Sequence, residues 1–469
     1  MGATLERVSF SPNIKERRDY SCAVFNRDGI LVAQAAHIPV HLGAMEFLMR
    51  RWLQDGPRIQ EDKAYLTNDP FFAGTHLPDI SVLLPVAGIG FVAARAHHSD
   101  IGGESPGSFS PVDDVRREGM LISPQELTDS LINEICQRCR GAEERRSDLQ
   151  AQLAACRVGA NRLQNLNIPF EEAASQCIAY SNELTRNAIS KLVFGTYSAE
   201  DFLEDIPQGK IKVSIKVESN SISFDFNGTD PQANIGINAT EAVTRSACYY
   251  VVRCLAPDAP TNGGCWQPVT VIAPQATLVN ATFPAPVVAG NTETSQRIVD
   301  TILQALPGDV PACSQGTMNN IAFGGEGWAY YETIGGGAGA GPNGPGASGI
   351  HTHMTNTRNT PVEALELDIP LRIVRYEIRS GSGGAGRHRG GDGVVRAYEA
   401  LEDGFTCSVM TERRAGGPPG RAGGSPGLPG RNLLLKANEA TALPSKGSFM
   451  LAKGDIVQIE TPGGGGWGA

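Results

Sequence analysis

Asp19-Tyr-Ser-Cys-Ala-Val-Phe-Asn-Arg-Asp-Gly-Ile-Leu-Val-Ala-Gln34 reads as a β-hairpin. Two apolar runs flank Asn26-Arg27-Asp28-Gly29, a turn in which glycine supplies the positive φ. A helix follows near Leu42–Gln54, with Leu42, Met45, Leu48, Met49 and Leu53 at helical spacing. Ala64–Thr67, Ile80–Val86 and Gly90–His97 read as buried strands separated by polar loops. From Pro124 to about Phe194 the pattern turns helical, most clearly over Asp148–Arg162 and Phe170–Leu192. Strand pattern returns over Lys210–Phe226, a helix is expected over Thr240–Leu255, and the region after Ile369 reads as β, with strands at Leu371–Ser380, Thr406–Met410 and Ile456–Glu460. The expected fold is α+β and multi-subdomain, with mixed sheets in the N- and C-terminal parts around a helical middle segment. The expected parts are 1–123, 124–205, 206–368 and 369–469, with no internal repeat.

A chain of 469 residues exceeds what one hydrophobic core serves. Its 41% hydrophobic and 19% charged residues are the balance of a globular protein. The net charge of −10 and the lack of a Lys/Arg block argue against nucleic acid. No stretch approaches the roughly 20 apolar residues that cross a bilayer, and Met1–Ser11 lacks a secretory layout. Ten cysteines scattered from Cys22 to Cys407 fit reduced thiols, so a cytoplasmic protein is expected. Cys136 and Cys139 form a CxxC without the second pair of a zinc site.

Glycine is abundant, 55 residues gathered in Gly335–Gly349, Gly381–Gly393, Gly416–Gly430 and Gly463–Gly468. Such runs serve either tight turns and close backbone approach to a ligand, or a floppy linker. The collagen-like spacing between Gly417 and Gly427 breaks too soon for a triple helix.

Residues 68–100 hold the densest set of metal ligands. If the strands there are neighbours, Asp69, His97 and Asp100 converge at one sheet end, a set suited to zinc, manganese or iron(II), with His98 and His76 in reserve. The plainer alternative is that these histidines bond loop carbonyls while Asp69 and Asp79 cap turns. A second polar cluster, His351-Thr-His-Met-Thr-Asn-Thr-Arg-Asn-Thr360, follows a glycine run, and on a strand His351 and His353 would share a face. Arg379, Arg387, His388, Arg389, Arg413 and Arg414 recur among the late glycines, where arginine forks can clamp a carboxylate or phosphate. His351, His353 and Arg413 are the candidate catalytic residues. The GxGxxG matches open no amphipathic helix, and neither GxxxxGK[ST] nor GxSxG occurs, so no nucleotide site is expected here.

Several blocks resemble the signatures of the hydantoinase B/oxoprolinase family. They include Glu16-Arg-Arg-Asp-Tyr-Ser-Cys-Ala-Val-Phe25, His37-Ile-Pro-Val-His-Leu-Gly-Ala-Met45, Gly74-Thr-His-Leu-Pro-Asp79 and His97-His-Ser-Asp-Ile-Gly-Gly103. Glu118-Gly119, His351–Thr357, Gly383–Gly393 and Gly454–Gly466 follow in family order. The resemblance implies a B-type subunit of an ATP-dependent hydrolase that opens cyclic amides such as hydantoins, 5-oxoproline and other lactams. It implies a hetero-oligomer with an A-type subunit that binds the ATP and phosphorylates the amide oxygen. Related acetone and acetophenone carboxylases have similar chains, some binding a transition metal. By that likeness Asp69, His97 and Asp100 are ligands, and Glu118 or water replaces a histidine expected where this chain has Arg117. The sequence also begins late and stops early against the family pattern. The alternatives are a carboxylase subunit and a non-catalytic scaffold for the A-type subunit.

Overall fold

A computed structural model describes residues 1–436 and 439–469. The N-terminal hairpin is β1 (Tyr20–Asn26) and β2 (Leu31–Ala36), joined by β3 (Tyr65–Thr67), β4 (Asp79–Val86), β5 (Gly90–His97) and β6 (Gln125–Glu126) in an antiparallel sheet of order β2-β1-β5-β4-β3-β6. Alternation gives the sheet two apolar faces. Cys22, Ile80, Val82, Val92 and Ala94 pack with residues of the helices Asp129–Arg138 and Ala142–Gln164. Ala23, Phe25, Leu83 and Ala93 pack with Met45, Leu48 and Trp52 of the helix Ala44–Asp55.

The second sheet, of order β10-β9-β8-β7, comprises β7 (Gly195–Phe202), β8 (Lys210–Val217), β9 (Ile222–Asp225) and β10 (Val269–Ile272). Ile211, Val213, Ile215 and Val217 share a core with the helices Glu241–Leu255 and Ser295–Ala305. β7 falls in the segment read as helical, and its pairing with β8 spans the expected boundary at 205/206. The helix Ser295–Ala305 was not anticipated, because its polar residues Gln296, Arg297, Asp300 and Thr301 are buried instead of forming a wet face.

Two further sheets share a C-terminal core of Ile321, Phe323, Tyr398, Phe405, Val457 and Ile459. One runs Trp328–Glu332, Asn320–Gly325, Phe405–Met410, Lys446–Leu451. The other runs Leu371–Arg379, Gly393–Ala400, Ile456–Glu460, Arg431–Lys436, Glu439–Ala442. The mixed helices and several sheets make an α+β fold.

The glycine runs are not loose linkers; they pack backbone against backbone around Gly463–Gly466. Gly464 donates to the carbonyl of Gly391 and accepts from the amide of Gly384, both at 2.9 Å. Gly465 donates to Cys313 at 2.8 Å and accepts from Ala340 at 2.9 Å, while Gly466 donates to Ser425 at 2.9 Å. A Cβ on Gly464 would lie 1.9 Å from the carbonyl oxygen of Ala338, and one on Gly465 2.1 Å from that of Pro419. Backbone polar groups are thus satisfied where no side chain fits.

Candidate metal centre

Strand register builds the site. β4 and β5 pair so that Asp79 lies opposite His97, and β1 flanks β5 with the amide of His97 donating to the carbonyl of Asp19 at 3.0 Å. The turn before β4 brings in His76. It closes through Gly74, where a Cβ would lie 2.5 Å from the Asp69 carbonyl oxygen. His41 comes from the short 3-10 turn Pro39–His41.

His76 Nε2, His97 Nδ1 and a carboxylate oxygen of Asp79 converge, and all three side chains are buried. His76 Nε2 stands 3.1 Å from His97 Nδ1 and 3.1 Å from Asp79 Oδ1, and His97 Nδ1 is 3.2 Å from the same oxygen. Ligands of a tetrahedral zinc, at about 2.0–2.1 Å from the metal, would stand roughly 3.3 Å apart. The other ring nitrogen of His76, Nδ1, is 2.9 Å from the carbonyl oxygen of Val288. That carbonyl can only accept, so Nδ1 carries a proton, and loss of the Nε2 proton on metal binding would leave the Nε2 lone pair facing the cluster. Donor types, separations and tautomer fit a divalent transition metal.

The surroundings hold the carboxylate. Thr75 Oγ1 donates to Asp79 Oδ2 at 2.6 Å, and His41 Nε2 approaches the same oxygen at 3.3 Å, with its Nδ1 2.9 Å from Ser21 Oγ. Burial alone would push the Asp79 carboxyl up, but the His76 charge and the hydrogen bonds from His41, His76 and His97 outweigh it and hold the carboxyl well below its usual range. For His76 burial works downward and Asp79 upward, and Asp79 prevails; for His97 burial prevails and the imidazole is held low. His97 stacks on Tyr331, with ring centroids 4.7 Å apart, and its Nε2 is buried without a partner.

These groups line a cavity of about 20 Å³, roughly room for one water. Asp19, Asn291, Thr333, Thr355 and Thr357 complete its wall. A larger cavity of about 590 Å³ lies at the other end of β4 and β5, between Arg27, Trp52, Arg58 and Phe91. It gathers no comparable set of convergent ligands, and the small cavity is taken as the site on chemistry.

Of the expected ligands, His97 and the reserve His76 are in the cluster, while Asp69 and Asp100 are engaged elsewhere. Asp69 Oδ1 accepts from the amide of Phe71 at 2.9 Å, capping the turn that Pro70 starts. Asp100 spends both oxygens on the amides of Gly102, Gly107 and Arg140 and on the Arg140 guanidinium. His98 points to the opposite face from His97, its Nε2 2.8 Å from Gln152 Oε1. Glu118 accepts from the amides of Val287 and Val288, at 3.0 and 2.9 Å, and so braces the carbonyl that orients His76. Arg117 pairs outward with Glu104 and Asp113. Reasoning from sequence passed over Asp79 and His41. A tight hairpin at Ala87-Gly88-Ile89 would have set Asp79 against His97.

His351 lies in irregular backbone and His353 in a turn at φ +54°, neither in a strand, so the shared-face expectation does not hold. It is Thr355 and Thr357 of that segment that reach the cavity. His353 Nε2 lies 3.3 Å from Asp300 Oδ1 without an aligned hydrogen bond, and Nδ1 is 3.4 Å from the Tyr250 hydroxyl. Arg413 donates to Asp201 Oδ2 at 2.7 Å and Asp300 Oδ2 at 3.2 Å. Nearby, buried Arg297 pairs with Asp201 and Glu412, and Glu412 also receives Lys446.

The family model for hydantoinase B/oxoprolinase matches residues 1–469. The chain is 39% identical to 5-oxoprolinase 1 of Arabidopsis thaliana over 516 residues, covering all of this chain and 40% of that protein. It is 31% identical to a protein named as the B-type component of a D-/L-hydantoinase in a Pseudomonas species, covering all of this chain and 87% of the other. Among solved structures, the ATP-dependent caprolactamase from Pseudomonas jessenii superposes with a TM-score of 0.90 at 25% identity, over 99% of this chain and 88% of that one. The chain spans well under half the length of the plant 5-oxoprolinase. No helix among the described residues is long and apolar enough to cross a membrane. By the family model over its full length, and by its identity to a hydantoinase component of nearly matching extent, the chain belongs to the hydantoinase B/oxoprolinase family.

Proposed function

We propose that this chain is the B-type subunit of an ATP-dependent cyclic-amide hydrolase, working in a hetero-oligomer with an A-type subunit that binds ATP. The observation that carries the reading is the buried His76–Asp79–His97 cluster, facing a small cavity in a chain of this family. Opening an unstrained amide has a high barrier, and phosphorylation of its oxygen by the partner provides a better leaving group. Water then adds to the activated carbon, the C–N bond breaks as the ring nitrogen takes up a proton, and a second water hydrolyses the resulting acyl phosphate to the open-chain acid and phosphate, alongside ADP.

A zinc or manganese ion held by His76, Asp79 and His97 would polarise the carbonyl or acidify a bound water. The chain's own groups do the positioning. Asp79 fixes both imidazoles while Thr75 and His41 fix Asp79. Tyr331, Thr333, Thr355 and Thr357 enclose the space, with the Tyr331 hydroxyl held by Asn320 and those of Thr333 and Thr357 bonded to each other. A lactam ring needs more than about 20 Å³, so substrate entry requires the 351–357 segment to withdraw. In this reading His351 and His353 belong to that moving wall, and Arg413 anchors its neighbour Asp300.

The test is ATP hydrolysis by the chain co-purified with its A-type partner, assayed with 5-oxoproline, hydantoins, lactams, and acetone plus bicarbonate. ADP release coupled to ring opening, abolished in His97→Ala, is the expected result. Turnover with ketone and bicarbonate alone would make it a carboxylase component, and silence with every substrate would leave a scaffold.

A further inference from the structure

The strand Leu371–Arg379 is an edge of the five-stranded sheet, paired on one side with Gly393–Ala400. Residues 374–378 are all exposed and the outer side of the strand is unpaired, although one face of Tyr376 lies against the Arg396 guanidinium and its hydroxyl donates to Asn359 at 3.1 Å. Val374, Tyr376 and Ile378 are 44%, 50% and 46% exposed, and Leu367 on the helix just before the strand is 85% exposed. Soluble proteins normally shield such an edge with a short strand, inward charges or a covering segment.

Its sequence is complementary to itself. In Val374-Arg-Tyr-Glu-Ile378, antiparallel pairing of two copies about Tyr376 sets Arg375 against Glu377 twice and Val374 against Ile378 twice. A shift of the pairing centre to Arg375 sets arginine on arginine. A shift to Glu377 sets glutamate on glutamate and Arg375 on Arg379. A one-residue offset opposes side chains from opposite faces. Only the register about Tyr376 matches charge and hydrophobicity together. Arg375 and Glu377 now pair with each other along the strand, Nε to Oε1 at 2.9 Å, and are free to exchange partners at the surface. A bulge at Val374 interrupts the ladder between Ile373 and Arg375, so the regular part of the seam is Arg375–Ile378 and the Val374–Ile378 contact lies at its margin.

We infer that a second copy of this chain docks here, two Leu371–Arg379 strands joining antiparallel about Tyr376 into one continuous sheet across a two-fold axis. The partner is identified by the strand's own charge pattern, and the inference does not depend on the reaction proposed above.

Light scattering of the purified full-length chain across a dilution series tests it. The chain should be a dimer, and Arg375→Glu or Glu377→Arg alone should raise the dissociation constant at least about tenfold. An equimolar mixture of the two variants should regain the dimer, because two acids on one strand then face two bases on the other. Tyr376→Cys should cross-link to itself on mild oxidation. Unchanged thermal melts confirm that the exposed substitutions leave the fold intact. A chain that is monomeric throughout, a dimer indifferent to both reversals, or folded variants that fail to associate when mixed would each overturn the inference.

Discussion

Two buried polar regions of this molecule are built on opposite terms. Around Arg297 and Arg413 the groups are mostly long cations against carboxylates. Asp201, Asp300 and Glu412 take up the guanidinium groups, and Lys446 adds a further positive charge. Around Asp79 one carboxylate serves three imidazoles, and a ring nitrogen of His97 is buried with no partner. The first region largely neutralises itself and ties the helix Ser295–Ala305 to β7 and to the strand Phe405–Met410. The second has more donor atoms than internal partners, which is the condition for taking up a metal or a reactant. Burial and unpartnered atoms are common to both, Arg297 Nε, Arg413 Nε and Asp300 Oδ1 among them; what separates them is that the first matches cations to carboxylates, whereas the second gathers ring nitrogens, the ligand type of a transition metal, on one carboxylate.

The contrast is most easily broken at Glu412. Glu412→Ala strips Arg297 and Lys446 of a shared buried partner and should cost about 3–5 kcal/mol of stability, read from urea unfolding. Turnover per folded molecule should stay near wild type. His97→Ala should do the reverse, lowering ATP-coupled turnover by about 10²–10³-fold and metal content to a trace, with a near-normal unfolding midpoint. If His97→Ala unfolds the chain as Glu412→Ala does, the two regions are not different in kind.

Glu293 is buried beside the first region, close enough to feel the Glu412 charge. Burial pushes the Glu293 carboxyl up to about 7, and its Oε2 has no partner. Its folded value lies above the ordinary 4.5, so the folded chain holds a proton that the unfolded chain releases. The stabilisation is complete below pH 4.5 and lost as pH rises through 7, about 3 kcal/mol in all. Unfolding midpoints measured across that window should show the slope, and Glu293→Gln should flatten it. The smallest effect is expected at Glu118, which steadies the Val288 carbonyl behind His76. Glu118→Gln should weaken zinc or manganese affinity roughly tenfold, by competition with a chelator.

The hairpin, the three following strands and the long helices were legible because alternation and helical spacing there match real burial. β7 was not, since an edge strand such as Gly195–Phe202 carries few apolar residues, nor was Asn320–Gly325, whose glycines depress strand propensity. At the site His97 was legible from the histidine-rich stretch, whereas Asp69 drew attention that belonged to Asp79. Both are aspartates at the ends of strands. Only the cross-strand register separates them, and register follows from the length of the turn at 87–89 more than from residue type. His41 comes from a turn remote in sequence, which spacing does not reveal.

The glycine bundle has an order of assembly written into it. The run on which the others lean, Gly463–Gly466, follows all of them in the chain. During synthesis the runs at 335–349, 381–393 and 416–430 emerge first, without side chains to collapse on and without the backbone partners they will later bond. Some of them pair with one another, as Gly346 with Arg389 and Gly391 with Ala338, but the groups that bond the central run must wait until it arrives, so this part of the molecule is completed late. A translational pause before residue 463 would prolong the interval in which those backbones stand open to chaperones or to wrong partners.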